Sequence, residues 1–279
     1  MEPQIIFMII GLLVLGAVAG YSAGLFGVGG GAIIVPALYY TYLALGFTQD
    51  IAMHTAVATS AATIIVTSLR SAYSHHQHGA VDWQLVWPRN PLQSWGVWIG
   101  VGALLAALIV SNWLSGEALV LIFGVFIGAI ALQFIFGRPD WQLAKQVPGG
   151  IAPPVAGTVL GGLCSLMGIG FGSIGVTLMV LCGKRIHRAI GTASALGFFI
   201  GAPATIGYII SGYGASGRPI YSLGYVSVIG FVLISASSFL FAPLGAKTAH
   251  KLSQSRLRLV FGVCLLLVAL NMIRKTLLA

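Results

Sequence analysis

Charge is what this chain lacks most. Only 7% of its 279 residues are Asp, Glu, Lys or Arg, whereas soluble domains carry about 25%. Hydrophobic residues make up 58% of the chain, and the mean hydropathy is +0.98. This composition excludes a water-soluble globule and predicts an integral membrane protein.

Acidic side chains are the scarcest charged groups, with five in the whole chain. They lie near the N-terminus, in loops or at segment ends: Glu2, Asp50, Asp82, Glu117 and Asp140. A carrier driven by Na⁺ or H⁺ through a buried carboxylate needs such a residue inside a helix. We therefore expect neither a cation substrate nor a carboxylate relay. The remaining hydroxyls, amides, glycines and histidines suit an anion.

Motifs of enzymes and of nucleotide-driven pumps are also missing. The cysteines Cys164, Cys182 and Cys264 lie in apolar runs without CxxC spacing, which predicts small buried residues. HExxH and GxxxxGK[ST] do not occur. The histidines at 75, 76 and 78 are interpreted as part of a solvated loop, and the basic residues form no nucleic-acid-binding face. We expect no enzyme, cofactor, metal or nucleic-acid partner.

The chain does contain ten apolar segments, two of them short. They span 4–26, 31–45, 51–71, 93–110 and 118–136, then 151–167, 172–182, 189–211, 223–241 and 256–274. A polar stretch with proline and glycine at 138–150 reads as a linker. It separates a first membrane repeat at 1–137 from a second at 151–279.

The two halves repeat each other in three blocks that occur in the same order. At an offset of 141, Gly27, Gly29 and Gly31 align with Gly168, Gly170 and Gly172. At an offset of 133, His54 and Thr59 align with His187 and Thr192. At an offset of 138, Gln133 aligns with Asn271, and both are expected to form interhelical hydrogen bonds.

The distribution of Lys and Arg orients the segments, because short basic loops stay in the cytoplasm. If each Gly-rich break lay within one crossing, each side would carry seven basic residues. If the chain reverses at each break, one side carries eleven, Arg70 among them, and the other three. We therefore predict an all-α integral membrane protein of two inverted repeats of five hydrophobic segments with Gly-rich helix breaks and both termini outside. The short segments cross or re-enter.

The two breaks form the predicted binding site. Gly-interrupted segments at matching positions of inverted repeats are typical of secondary transporters. Each break frees backbone N–H groups at the positive end of a helix dipole, which favours an anion. The candidate residues are Gly27, Gly29, Gly30 and Gly31, and Gly168, Gly170, Gly172 and Ser173. The alternative is that these glycines serve only close helix packing.

Hydroxyl and basic side chains follow each break. Thr59 and Ser60, with Thr192 and Ser194, are candidate ligands, although such hydroxyls also bond their own helix backbone. A second group is assigned to gating or proton linkage: His54, His187 and Arg188. For the last two, the alternative is a basic anchor on the cytoplasmic side.

At these residues the sequence resembles the TauE/SafE sulfite exporter family, also called the toluene-sulfonate uptake permease family. The resemblance rests on 20–36 with its GVGGG, on 56–82 and on 186–212, and it extends over nearly the whole chain. It implies a multi-pass permease of the bacterial inner membrane for small sulfur-containing anions, and it adds Gly191 to the family glycines. Ala58, Ala193 and Ser194 depart from the family pattern.

The resulting hypothesis is a secondary transporter that exports sulfite or an organosulfonate, with both termini in the periplasm. An inside-negative potential favours loss of one negative charge by about 2.3 kcal/mol per 100 mV. The alternatives are an anion channel of the same architecture and a permease for another small oxyanion or carboxylate. The partners expected are the anion and the lipid bilayer, and homo-oligomerisation stays open.

Overall fold

A computed structural model describes residues 3–26, 30–137, 144–249 and 254–277. Each of the ten predicted segments contains a long or short helix. The first half holds α1 (Pro3–Phe26), α2 (Gly31–Ala44), α3 (Gln49–Gln77), the single turn α4 (Trp83–Val86), α5 (Trp95–Trp113) and α6 (Gly116–Phe136). The second half holds α7 (Thr158–Leu166), α8 (Gly172–Leu181), α9 (Ile186–Ser211), α10 (Val228–Ala249) and α11 (Gln254–Leu277).

Three segments differ clearly from their predicted bounds. In the segment predicted at 151–167, a π-helical turn (Pro153–Gly157) precedes α7, which begins only at Thr158. Helix α3 continues to Gln77 because buried Ala72 and His75 carry its packed face beyond the apolar run. Helix α10 starts at Val228 because the residues before it form a two-residue antiparallel hairpin, β1 (Ser222–Leu223) with β2 (Val226–Ser227). Gly224, with φ +55°, makes the turn of this hairpin.

Five of the described helices are long and apolar enough to cross a membrane: α1, α3, α6, α9 and α10. Large apolar side chains such as Val14, Val125 and Leu240 stand exposed on the outer surface. Hydroxyls such as Thr59, Ser60 and Thr63, in contrast, are fully buried along α3. An apolar exterior around a hydroxyl-lined interior fits a lipid environment.

Two pairs of helices, α1 with α10 and α5 with α7, pack in parallel between the halves. Along α1, Gly16, Gly20 and Gly24 approach the α10 backbone at Ile234, Ser238 and Ala242 in that order. Along α5 and α7, Gly161 lies against Ile99, and the Ser165 hydroxyl donates to the carbonyl oxygen of Ala103. Small residues allow these close backbone approaches.

The central pair, α3 and α9, runs antiparallel. Gly201 lies against Ala61, Gly197 against Ser68 and Gly191 against His75. The residue numbers decrease along α9 as they increase along α3, so the two helices run in opposite directions. Helices α6 and α11 are also antiparallel, with Gly124 near Ile273 and Gly262 near Phe134. A chain that passed straight through each Gly-rich break would make α3 and α9 parallel. The observed directions favour reversal at each break.

Substituting Gly24 tests the packing of α1 on α10. A Cβ at Gly24 would overlap the carbonyl oxygen of Ala242, whereas a Cβ at Gly11 on the same helix meets nothing within 4 Å. We expect Gly24→Ala to lower the free energy of unfolding by about 2 kcal/mol, measured as thermal stability in detergent. Gly11→Ala should stay at or slightly above the parent. Equal stability of the two variants would contradict this packing.

Candidate functional site

The two Gly-rich breaks meet inside the molecule. Gly31 begins α2, and a Cβ there would overlap the carbonyl oxygen of Gly168. Gly168 has φ +58°, and a Cβ on it would lie 2.7 Å from the carbonyl oxygen of Val57 on α3. Gly30 caps α2 in the left-handed region, with φ +75°. Glycine is therefore required where the backbones of the two halves touch.

Ser60 fastens the second break to α3. Its hydroxyl, fully buried, donates to the carbonyl oxygen of Gly168 at 2.7 Å. The structure thus gathers the predicted residues Gly31, Ser60 and Gly168 around one point, from both halves of the chain. Gly27 and Gly29 lie outside the described residues.

Helix α8 starts beside this contact and presents donors. Gly170, in the segment that links Gly168 to α8, and Gly172, the first residue of α8, are both buried. Ser173, in the first turn of α8, is 3% exposed, and its Oγ has no hydrogen-bond partner among the described residues. The first N–H groups of any helix also lack intrahelical partners. The start of α8 therefore holds a buried hydroxyl next to a positive helix end.

The hydroxyls of Thr59 and Thr192 each bind a loop from the other half of the chain. Thr59, on α3, binds the loop that follows α9, and Thr192, on α9, binds the loop that follows α3. The Thr59 Oγ1 accepts from the N–H of Ser227 at 3.0 Å, immediately before α10. The Thr192 Oγ1 accepts from the N–H of Asp82 at 2.9 Å, immediately before α4, and donates to the carbonyl oxygen of Arg188. These two candidate ligands thus form reciprocal brackets between the halves.

Ser194 also bonds within the protein. Its hydroxyl donates to the carbonyl oxygen of Ile190 at 2.9 Å and lies 3.0 Å from the Ser71 hydroxyl on α3. The alternative considered from sequence, bonding to its own helix, therefore describes one of its contacts. Ser194 contributes to the interface between α3 and α9.

The interhelical hydrogen bonds expected of Gln133 and Asn271 are confirmed. Gln133 on α6 donates to the Thr177 hydroxyl on α8. Asn271 on α11 donates to the Tyr40 hydroxyl on α2 at 2.9 Å. Each amide therefore ties the short helix of the opposite half to the last helix of its own.

An ion pair joins the halves at one end of the molecule. The Lys184 Nζ lies 2.6 Å from Asp82 Oδ2. Partial burial disfavours the charged carboxyl, but the hydrogen bond and charge of Lys184, with the charge of Arg188, outweigh it and lower the pKa of Asp82. His187 and Arg188 are both exposed at the start of α9. Sequence reasoning missed Asp82 as a partner because Lys184 lies 102 residues away.

The structure also gives the positions of three basic side chains, Arg70, His75 and His54, which the sequence did not predict. Arg70 belongs to α3 rather than to a loop, with its guanidinium 5.1 Å from the centre of the Phe239 ring. His75 is buried, so the interpretation of its region as a solvated loop is wrong at that residue. His54 is buried at the other end of α3 and stacks on Tyr225 at 5.0 Å.

No cluster of His, Cys, Asp and Glu within the described ranges could hold a metal ion.

Comparison with known families decides what kind of protein carries this site. The family described as "Sulfite exporter TauE/SafE" matches residues 12–272. The chain belongs to the TauE/SafE sulfite exporter family. As a TauE/SafE protein with several apolar helices it is a multi-pass membrane transporter.

Curated relatives cover the TauE/SafE chain almost end to end. A "Probable membrane transporter protein" of Haemophilus influenzae is 34% identical over 96% of this chain and 99% of its own length. A probable membrane transporter protein of Methanocaldococcus jannaschii is 23% identical over 98% of this chain and 98% of its own length. Another, of Bacillus subtilis, is 25% identical over 94% of this chain and 96% of its own length. No solved structure matches the chain significantly.

Gly31→Ala tests the contact between the two breaks. The added methyl would overlap the carbonyl oxygen of Gly168 and push the breaks apart, so transport should fall at least about tenfold while membrane insertion persists. Gly128→Ala on α6 is the matched control, because its Cβ would meet its nearest neighbour at an ordinary 3.7 Å. Transport is measured as solute counterflow in proteoliposomes, and normal counterflow by Gly31→Ala would contradict the contact.

Asp82→Asn tests the ion pair. Because the pKa of Asp82 is lowered in the folded state, its stabilising effect is complete above the ordinary Asp pKa of about 4. That effect is lost as pH falls through the lowered value. Asp82→Asn should therefore cost about 1 kcal/mol near neutral pH and nothing at the acid end of a thermal-unfolding series. Glu117→Gln serves as the control, and a pH-independent loss would contradict the assignment.

Proposed function

We propose that this TauE/SafE protein is a secondary transporter that moves a small sulfur-containing anion, such as sulfite or an organosulfonate, across the bacterial inner membrane. The observation that carries the proposal is the buried meeting of the two breaks. There Gly31, the first residue of α2, meets Gly168, which lies four residues before α8 begins. Ser173, in the first turn of α8, has a buried hydroxyl without a partner among the described residues.

The chemistry of this point favours an anion. Backbone N–H groups at two helix starts and a serine hydroxyl supply donors, and helix dipoles add positive potential. The described acidic residues, Asp50, Asp82 and Glu117, lie at helix starts or in a loop, and none of them belongs to a break. A site built from neutral donors binds an anion reversibly, as a carrier requires.

Alternating access is supported by the reciprocal contacts between the halves. Exchanging the halves relates the α1–α10 packing to the α7–α5 packing, and the Thr59 bracket to the Thr192 bracket. We infer inverted repeats at 1–137 and 151–279, joined by the linker at 138–150, that rock around the anion. The basic end with Lys184 and Arg188 faces the cytoplasm, and both termini face the periplasm.

We further infer that export is the physiological direction. The inside-negative potential drives negative charge outwards, and the family name supports sulfite as the cargo. The relatives are described only as probable membrane transporter proteins.

Counterflow in proteoliposomes tests the function directly. Labelled sulfite outside is combined with unlabelled sulfite, an organosulfonate, sulfate, acetate or chloride inside. We expect trans-stimulation by sulfite or the sulfonate and none by acetate or chloride.

Ser173→Ala tests the site in the same assay. The variant should raise the half-saturation concentration about tenfold, because it loses one hydrogen bond to a charged ligand. Ser235→Ala is the control, because it removes another buried hydroxyl without a described partner, on α10.

The alternatives give different results. Saturable flux is absent and trans-stimulation fails if the protein is an anion channel. Trans-stimulation by acetate or another anion without sulfur would show that the substrate is a carboxylate or a small oxyanion in general, and not a sulfur-containing anion. Either result overturns the proposal while leaving the fold intact.

A further inference from the structure

The proposed carrier contains few groups that could hold a proton within its helix bundle. The described carboxylates Asp50, Asp82 and Glu117 lie at helix starts or in a loop. Buried Cys164 and Tyr208 belong to residue types that ionise at about pH 8.5 and about pH 10 in water. Histidine is the side chain that titrates near neutral pH, and two described histidines, His54 and His75, are buried.

His54 is held in a defined tautomer. It lies in the second turn of α3 and is 1% exposed. Its Nδ1 lies 2.8 Å from the carbonyl oxygen of Asp50, and a carbonyl oxygen only accepts, so Nδ1 carries the hydrogen. Nε2 is then a bare lone pair, buried and without a hydrogen-bond partner in the described part of the chain. This nitrogen is the atom on which a proton would bind.

Charged and aromatic groups surround the imidazole. The Asp50 carboxylate is 3.7 Å from Nδ1 and also accepts from the N–H of Gly116 at the start of α6. Tyr225, from the hairpin between α9 and α10, stacks on the ring at 5.0 Å. Arg218 ties that segment together through the carbonyl oxygens of Ala215 and Gly224. The first turn of α6 adds Glu117, whereas α2 carries no charged residue.

The position of His54 suits coupling to the site. Six residues, about 9 Å along the helix, separate it from Ser60, which bonds the second break. The ring covering it, Tyr225, belongs to the other half of the chain. A movement of the halves that separates Tyr225 from the ring would therefore change which side of the membrane Nε2 is open to.

We propose that His54 binds the proton that moves together with the anion. This proposal rests on the proposed function of the same site. A proton from water adds to the Nε2 lone pair and gives an imidazolium, which the Asp50 carboxylate stabilises. The positive charge strengthens anion binding, and by linkage the anion favours the protonated state to the same degree. With a dianion, the pair still carries one net negative charge, so an inside-negative potential favours its export.

The test measures proton and anion movement at once. Proteoliposomes hold a trapped pH dye, the potential is clamped with potassium and valinomycin, and a sulfite gradient is imposed. The parent protein should move protons in the same direction as sulfite. His54→Gln keeps an amide donor for the Asp50 carbonyl but binds no proton, so it should lose the proton movement. Sulfite counterflow should persist with a raised half-saturation concentration, because the variant cannot supply the positive charge.

His78→Gln is the matched control. His78 makes the same kind of bond from Nδ1 to the carbonyl oxygen of Ser74, at 2.8 Å, but is exposed at the end of α3. This variant should couple protons like the parent. A His54→Gln protein that still moves protons with sulfite would overturn the proposal.

A second measurement requires no variant. The half-saturation concentration of the parent for an organosulfonate, whose own charge does not change with pH, should rise about tenfold as protons become scarce at alkaline pH. Sulfite counterflow without proton movement, or a flat pH profile for the organosulfonate, overturns the role of His54 and leaves the transporter standing. Absence of sulfite counterflow in the parent overturns the proposed function instead, so the two failures are distinguishable.

Discussion

The fold depends on one close contact, the backbone of Gly31 against the backbone of Gly168. A Cβ at either position would collide with the opposite half or with α3, so both breaks must stay glycine at these points. The contact fixes where α2 and α8 begin, and Ser60 locks the second break in place with a single hydrogen bond. The proposed anion site, with its two helix starts and the Ser173 hydroxyl, depends on how near the backbones of the two halves can approach each other there.

The sequence predicted the helical segments and the meeting of the breaks because both leave local marks. Apolar runs of spanning length gave the helices, and glycines repeated at an offset of 141 gave Gly31 and Gly168. The equivalence of Gln133 and Asn271 likewise predicted their interhelical bonds. Charge counting chose reversal at each break, and the antiparallel α3 and α9 favour the same choice.

The remaining features depend on distant partners, which leave no local pattern. Thr59 and Thr192 resemble ligands in sequence, but their hydroxyls are occupied by Ser227 and Asp82 from the other half. His75 lies in a polar run, yet the packing of α9 buries it. The hairpin before α10 is apolar enough to extend a predicted helix, and only the turn at Gly224 reveals it. The fold class can thus be predicted from short stretches of the sequence. The hydrogen-bond partner of each hydroxyl cannot, because that partner lies far away along the chain.

The two brackets also determine how deeply polar backbone enters the helix bundle. Ser227 reaches α3 at Thr59, ten residues and about 15 Å from the start of that helix. From the other end, the loop before α4 packs on Gly191 beside His75. Polar backbone therefore enters from both faces, and only the stretch of α3 between Thr59 and His75, about 24 Å, separates the two loops. This stretch is shorter than the hydrocarbon core of a bilayer, about 30 Å, so a solute carried along α3 would cross a thinner apolar barrier than the bilayer itself.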